Sequence, residues 1–436
     1  MTTKRFRKEL SIDGLLDTCR KSFDKLPDTK ESRSGITLRD CLMSGIAIFG
    51  LKYPSLLQFD RDRFDETIGH NLKSLYGIKH VPSDTYFRER LDDLLPEQVR
   101  KTFKSIISIV QRGKALEPFK FIDDSYLVSI DGTGYFFSDH IHCDQCCERH
   151  HRDGSVSYYH QMLGAVMVHP DLKSVLPLSP EPILKQDGKN KNDCERNAAK
   201  RLLQDLRREH PHMKLTIIED GLSSNAPHIT TLREHGMNFI LGAKEGDHAF
   251  LFDWVNKSKV TEHEMKDKKG NHYRFRFINR IPINESNLDC NVNFLECWET
   301  NPKGRVQHFS WVTDFTLTGA NVYQIMRGGR ARWKIENETF NTLKNQGYHF
   351  EHNFGHGKKN LSTVMAQLML LAFMIDQVQA LSCQLFQQAV IACKGKMRFW
   401  RRIRSVFTEM YVNSWHDMYS AFIYGRKSPT LTPNSS

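Results

Sequence analysis

Five short apolar runs rich in β-branched residues constrain the middle of this chain more than any other feature. They are 126-YLVSI-130, 161-QMLGAVMV-168, 174-SVLPL-178, 214-KLTII-218 and 238-NFILGA-243. Each is short for a buried helix and is bounded by turn residues, so each reads as a buried strand. Two helical stretches, 193-DCERNAAKRLLQDLRREH-210 and 225-NAPHITTLREHG-236, separate the last three runs. The order is strand, strand, strand, helix, strand, helix, strand. Hairpin partners come first and parallel crossovers follow, which predicts a mixed α/β sheet flanked by helices.

The rest of the 436 residues divides around that core. Residues 1–115 read as helical, with helices expected at 10–26, 37–50 and 96–112. A helix-start signature stands in 82-PSDTYFRERLDDL-94, with Ser83 or Asp84 as N-cap. Arg88 and Arg90 lie near that start, as they do on a helix-turn-helix reader of DNA; an amphipathic helix with a solvated charged face is the plain alternative. The core itself is expected over 116–244 and 316–380. Between them, 272-HYRFRFINRIPI-283, 292-VNFLECWE-299 and 307-QHFSWVTDF-315 alternate at period two, which predicts a β-rich insertion over 245–315. Residues 381–436 read as a helical C-terminal region ending in a polar tail, 427-KSPTLTPNSS-436, expected to be disordered. Its run 394-KGKMRFWRRIR-404 mixes basic and aromatic residues, which suits backbone binding of nucleic acid and equally an amphipathic helix packed on the domain.

Charge and cysteine usage bound the setting. Lys plus Arg outnumber Asp plus Glu by 62 to 51, a net +11, which favours a polyanionic partner and DNA or RNA foremost. The N-terminus lacks an apolar signal region, and 368-LMLLAFMI-375 is too short to span a bilayer, so no membrane association is expected. Ten cysteines without a secretory signal point to a reducing compartment, most simply the bacterial cytoplasm.

Three acids stand at telling places. Asp131 follows YLVSI directly in 129-SIDGTG-134, and Asp220 follows KLTII almost directly in 217-IIEDGLSSN-225. Ligands of open α/β sheets bind just outside the carboxyl ends of strands. Each Asp precedes a Gly, so a strand-ending turn is the plain alternative for either alone. Glu336 lies in 331-ARWKIENETFNTLK-344, where Trp333, Phe340 and Leu343 form an apolar stripe at helical spacing that the glutamate interrupts. A carboxylate there must pair, lose its charge or bind a cation. Arg332 is the pairing candidate, although a base before an acid is the weaker order on a helix. Three carboxylates converging from two strand ends and a helix would make an all-oxygen site for Mg²⁺ or Mn²⁺. Two such ions roughly 3.5–4 Å apart are a standard device for in-line attack on a phosphodiester.

At these residues the chain resembles the DDE transposases of bacterial insertion sequences. The resemblance spans about 120–380 and is carried by SIDGTG, by IIEDGLSSN and above all by 330-RARWKIENETFNTLKNQGYHFEHNFGHG-357; 159-YHQMLGAVMVHPDLKSVLPLSPEPI-183 also looks like the family's strand region. It implies a ribonuclease-H-like catalytic core interrupted by a β-insertion before the last acid, which the strand order also suits. It implies Asp131, Asp220 and Glu336 as the metal-binding catalytic acids, Mg²⁺ or Mn²⁺ as cofactor, and transposon ends and target DNA as substrates. It further implies a homodimer or larger assembly on paired ends. The family's helix motif places a Tyr, then Arg after two residues, Glu after three and Lys after six. Arg332 and Glu336 match it, Gly329 stands at the Tyr position, and Lys344 comes one residue late. Arg332 and Lys344 would contact DNA, and Trp298 or Trp311 of the insertion would stack on an unpaired base, unless they are core tryptophans. Two other functions fit the same residues: a nuclease on this core without strand transfer, and a DNA-binding protein without catalysis.

The stretch 139-DHIHCDQCCERHH-151 packs three Cys and four His into thirteen residues. Cys143 and Cys146 have zinc-compatible spacing, with His150 or His151 as a third ligand and Cys194, Cys290 and Cys297 as distant candidates for a fourth; a free polar loop is the alternative. Glu195, Arg196 and Lys200 read as a solvated helix face, and His352 and His356 as residues of the turn after the Glu336 helix.

Overall fold

A computed structural model of the protein describes residues 8–28, 35–185, 194–425 and 432–433. The tail 427–436 lies outside the described residues apart from 432–433, whose backbone alone is described. Eleven strands form one sheet: β1 (Tyr126–Ser138), β2 (Cys147–His150), β3 (Val156–Val168), β4 (Leu176–Pro177), β5 (Glu181–Ile183), β6 (Leu215–Glu219), β7 (Asn238–Gly242), β8 (Thr261–Lys266), β9 (His272–Asn284), β10 (Asn287–Thr300) and β11 (Val306–Thr313). Its order is β2-β3-β1-β6-β7-β11-β10-β9-β8, with β4 and β5 also paired to β3. β1 and β3 are antiparallel, whereas β6 runs parallel to β1 and β7 parallel to β6. This is the expected mixed sheet, and its first five strand positions are compatible with a ribonuclease-H-like core.

The segment 245–315 continues that sheet. β11 pairs antiparallel with β7 at Trp311–Gly242, Val312–Leu241 and Thr313–Ile240, and β10, β9 and β8 follow as a meander. Within it Ala249–Lys257 is helical, burying Leu251, Phe252 and Val255 at i, i+1 and i+4.

The six helices described before the sheet are Ile12–Phe23, Leu38–Gly50, Leu56–Asp62, Glu66–Tyr76, Asp84–Asp92 and Pro96–Arg112. Five begin with a side-chain cap, from Ser11, Thr37, Ser55, Asp65 and Ser83, each accepting a backbone N–H of the first turn. Leu56–Asp62 and Glu66–Tyr76 are helices beyond the three expected spans, each marked locally by its cap.

These helices gather with the C-terminal ones around Leu361–Ser382. That helix is long and apolar enough to cross a membrane, yet 94% of its most apolar window is buried among the other elements. Lys52 forms a buried ion pair with Asp376 at 2.8 Å, and Tyr348 donates its hydroxyl to the same carboxylate. Asn71 donates to the carbonyls of Phe407 and Met410 at 2.8 Å, tying the C-terminal helix Lys396–Glu409 to Glu66–Tyr76. In 394–404 the aromatics Phe399 and Trp400 are buried, so that run packs as an amphipathic helix.

Candidate active site

Asp131 does not end a strand. β1 runs on through Gly132, Thr133 and Gly134, and Asp131 pairs with Gly164 of β3. The Asp-Gly turn is therefore absent at this position. The parallel pairing of β1 with β6 does stop nearby, at Ser129–Ile218. Asp131 and Asp220 each lie two residues beyond that last pair, so the strands' alternation puts both on one face. Asp220 starts a short 3₁₀ turn, and one of its oxygens accepts the Leu222 N–H at 3.0 Å.

Glu336 reaches the same neighbourhood from a different direction. Residues Ile335–Phe340 form a π-helical turn, so the helical spacing assumed for the stripe fails there. Ile335, Thr339 and Phe340 are buried, whereas Trp333 is 50% exposed. Glu336 thus does not sit amid an apolar face; it lies at the edge of one, partly exposed. Gly164 makes room for this turn, since a Cβ there would stand 3.0 Å from the Phe340 ring.

Arg332 joins the acids. Its Nη1 donates to Glu336 Oε1 at 2.8 Å and to Asp131 Oδ2 at 3.1 Å, and its carbonyl accepts the Ser129 hydroxyl at 3.0 Å. Ser129 and Asp131 share a face of β1, so one strand face fixes both ends of the arginine. The pairing candidate from the sequence is real, and it also reaches across to the strand acid. Burial pushes the Asp131 carboxyl up to about 7; Arg332 opposes the rise and Glu336 adds to it. Two carboxylates sharing one guanidinium form a site of surplus negative charge. Asp131, Glu336 and Asp220, which shares a cleft with Asp131, offer only hard oxygens, the donor type that fits Mg²⁺ or Mn²⁺.

Asp131 and Asp220 line a cleft of about 710 Å³ whose walls include Glu195, Lys200, Asn225 and His228. Glu195 opens the helix Glu195–Glu209 and packs against Gly132, where any side chain would collide with its carboxylate. Partial desolvation raises the Glu195 carboxyl, with Asp220 and Glu219 adding to the rise. Glu195, expected on a solvated helix face, is exposed, but into the cleft. No local signal could have revealed that, because the helix meets β1 only in three dimensions. Glu219 is buried and paired with His228 at 2.5 Å, so it supports the wall.

The remaining expected DNA contacts separate into available and unavailable groups. Arg90 is buried in an ion pair with Asp28 and has no free guanidinium to offer. Arg88 stays at the surface, paired with Asp84 at 2.6 Å. Trp311 is a core residue, packed under Gly329, where a Cβ would collide with its indole nitrogen. That packing leaves no room for a side chain at position 329. Trp298 is half-buried between its cross-strand neighbours, with Arg274 over the ring at 4.5 Å and His308 stacked at 4.9 Å. Lys344 pairs with Glu351 at 2.7 Å. Trp333, expected on the apolar stripe with Phe340 and Leu343, is an exposed aromatic with the Arg332 guanidinium 4.5 Å from its ring centre.

The cysteine cluster also differs from expectation. Cys143 and Cys146 meet His160 of β3 and His356, all four buried. His150 is exposed and faces Glu148, so it is not a partner of the cysteines. None of the ten cysteines forms a disulfide.

No protein-family model matches the chain, and no curated protein matches its sequence. Among solved structures, one similar arrangement is a piggyBac transposase synaptic complex with hairpin DNA, seen by cryo-electron microscopy. It is 12% identical, with 99% of this chain and 83% of that chain covered and a TM-score of 0.36. A likeness that faint carries no argument about function.

Proposed function

We propose that this chain is a metal-dependent DNA transposase of the DDE type, acting on insertion-sequence ends. Two observations support the reading: Arg332 bridges Asp131 and Glu336, and Asp131 and Asp220 line one cleft beyond the last pair of the parallel strands. The three acids are the residues that would hold the cations. Held by those acids, divalent cations would supply charge neutralisation at the phosphodiester and a lowered pKa for the attacking water or 3′-hydroxyl.

The chain's own residues position that chemistry. Ser129 anchors the Arg332 backbone, and Arg332 orients Asp131 and Glu336 side by side. A DNA phosphate is a natural further partner for its guanidinium. The exposed Trp333 offers a stacking surface for an unpaired base at the cleavage point. The net charge of +11 favours a polyanion, and a homodimer holding paired ends completes the proposal.

The test is Mg²⁺- or Mn²⁺-dependent cleavage of DNA carrying the element's own ends, comparing wild type with Glu336→Gln. Cleavage by wild type and its loss in the variant, with DNA binding retained, is expected. Equal activity would remove Glu336 from the site. Pre-cut ends then separate the alternatives: strand transfer marks a transposase, hydrolysis alone a nuclease, and binding without either a DNA-binding protein.

A further inference from the structure

We propose that Cys143, Cys146, His160 and His356 bind one structural zinc ion that staples the segment after the Glu336 helix to β3 and to the loop that follows β1. This assignment rests on the cluster's own geometry and does not depend on the reading of the acidic cleft.

The ligand atoms already describe a small tetrahedron, all lying within 4.8 Å of one another. Zinc bonds of about 2.3 Å to sulfur and 2.0–2.1 Å to nitrogen require edges of about 3.8 Å between sulfurs and about 3.6 Å from sulfur to nitrogen. The two sulfurs are 3.7 Å apart. His160 Nε2 lies 3.3 Å from Cys143 Sγ and 3.4 Å from Cys146 Sγ, and His356 Nε2 lies 3.2 Å from Cys146 Sγ. Movements of a few tenths of an ångström would complete the coordination. The sulfur separation is also far beyond the roughly 2.05 Å of a disulfide.

The surroundings direct these groups at one another. All four side chains are buried, and the Nδ1 atoms of His160 and His356 have no hydrogen-bond partner among the described residues. Each ring therefore spends its polar contact on the sulfurs through Nε2. Tyr135 stacks on His160 with ring centres 5.7 Å apart, and Phe136 lies 4.2 Å from His356, so both rings are held in place. Thiols are weak donors, and two of them leave a buried pair of imidazoles poorly satisfied. Two thiolates and two neutral imidazoles around zinc satisfy all four. Four protein ligands leave no open position, which makes the site structural rather than catalytic.

The ligands come from three distant segments. Cys143 and Cys146 lie in the loop after β1, His160 on β3, and His356 in the turn beyond Glu336. The same turn is gripped from the other side by Asp92, whose carboxylate accepts the backbone N–H groups of Lys358, Lys359, Asn360 and Leu361 at 2.9–3.0 Å. The Asp144 N–H adds a bond to the Lys358 carbonyl at 3.1 Å. Zinc would lock a crossing point of the sheet, the π-helical segment and the N-terminal helices.

The test is the metal content of the full-length chain purified without chelator, with mercurial titration of thiols to follow release. One zinc per chain, released as two thiols react, is expected. Cobalt in its place should show thiolate-to-metal charge transfer and intense tetrahedral d–d bands. Cys146→Ser and His356→Ala should lose the ion; His356→Cys, which keeps a ligand, should retain it and shows that the fold tolerates the position. His150→Ala should retain it as well. A chain without zinc, a Cys143–Cys146 disulfide found by mass spectrometry, retention of zinc by His356→Ala, or its loss from His150→Ala would each overturn the assignment.

Discussion

Replacing Asp131 by Asn should stabilise the protein at neutral pH and abolish its response to divalent cations. Burial first, and Glu336 after it, hold the Asp131 carboxyl at about 7 against an ordinary 3.8, with Arg332 opposing. The folded chain therefore binds more protons than the unfolded one between about pH 4 and pH 7, so this group's contribution to stability falls as pH rises through that window. A pKa difference of about 3 sets a ceiling of about 4 kcal/mol at 1.36 kcal/mol for each. The side chain is 27% exposed, and water screens part of that penalty, which brings the expected gain to about 1–2 kcal/mol. Asparagine keeps the shape and has no charge to desolvate. Denaturant unfolding followed by tryptophan fluorescence, from about pH 4 to pH 8, should show the variant more stable at the upper end and equal to wild type at the lower. Mg²⁺ at ten times its Kd should then add about 1.4 kcal/mol to wild type and nothing to the variant. A variant less stable than wild type at neutral pH, or an equal Mg²⁺ gain in both proteins, would refute the reasoning.

Three further outcomes follow from the packing. Gly329→Ala drives a methyl group into the Trp311 indole and should cost about 1–3 kcal/mol, read as a lower unfolding midpoint. Asp376→Asn leaves Lys52 charged and buried without its partner, and unfolding should reveal a loss of about 3–5 kcal/mol. Trp333→Ala should leave stability within about 0.5 kcal/mol of wild type. In a DNA-binding titration the same change should weaken capture of end DNA with an unpaired base by about 1–3 kcal/mol, while equal affinity would remove Trp333 from the interface.

Most of the elements were readable because their signals are local. The runs from YLVSI to NFILGA became β1, β3, β4, β6 and β7, and the caps at Ser83 and elsewhere mark real helix starts. Asp131 and Asp220 stood out because each follows a buried run. The extent of β1 was misjudged, since Asp-Gly signals a turn only where no neighbouring strand claims the backbone, and β3 pairs with β1 through Ser138. Helical spacing aligned Trp333 with Phe340 and Leu343, but the π turn at Ile335–Phe340 rotates the later side chains away from its face.

What the sequence determined by itself was therefore composition, element type and the chemistry available: three acids at suggestive ends, a Cys-x-x-Cys, an excess of base. Periodicity and capping act within a few residues, so one sequence suffices to read them. The tertiary structure alone decided which groups meet. Arg332 finds Asp131 across 201 positions, and Cys146 finds His356 across 210. It also buried Arg90 and Trp311 while exposing Trp333. Those outcomes depend on which strand lies beside which and on the faces that burial leaves open, and apolar area, being non-directional, does not write such pairings into local sequence.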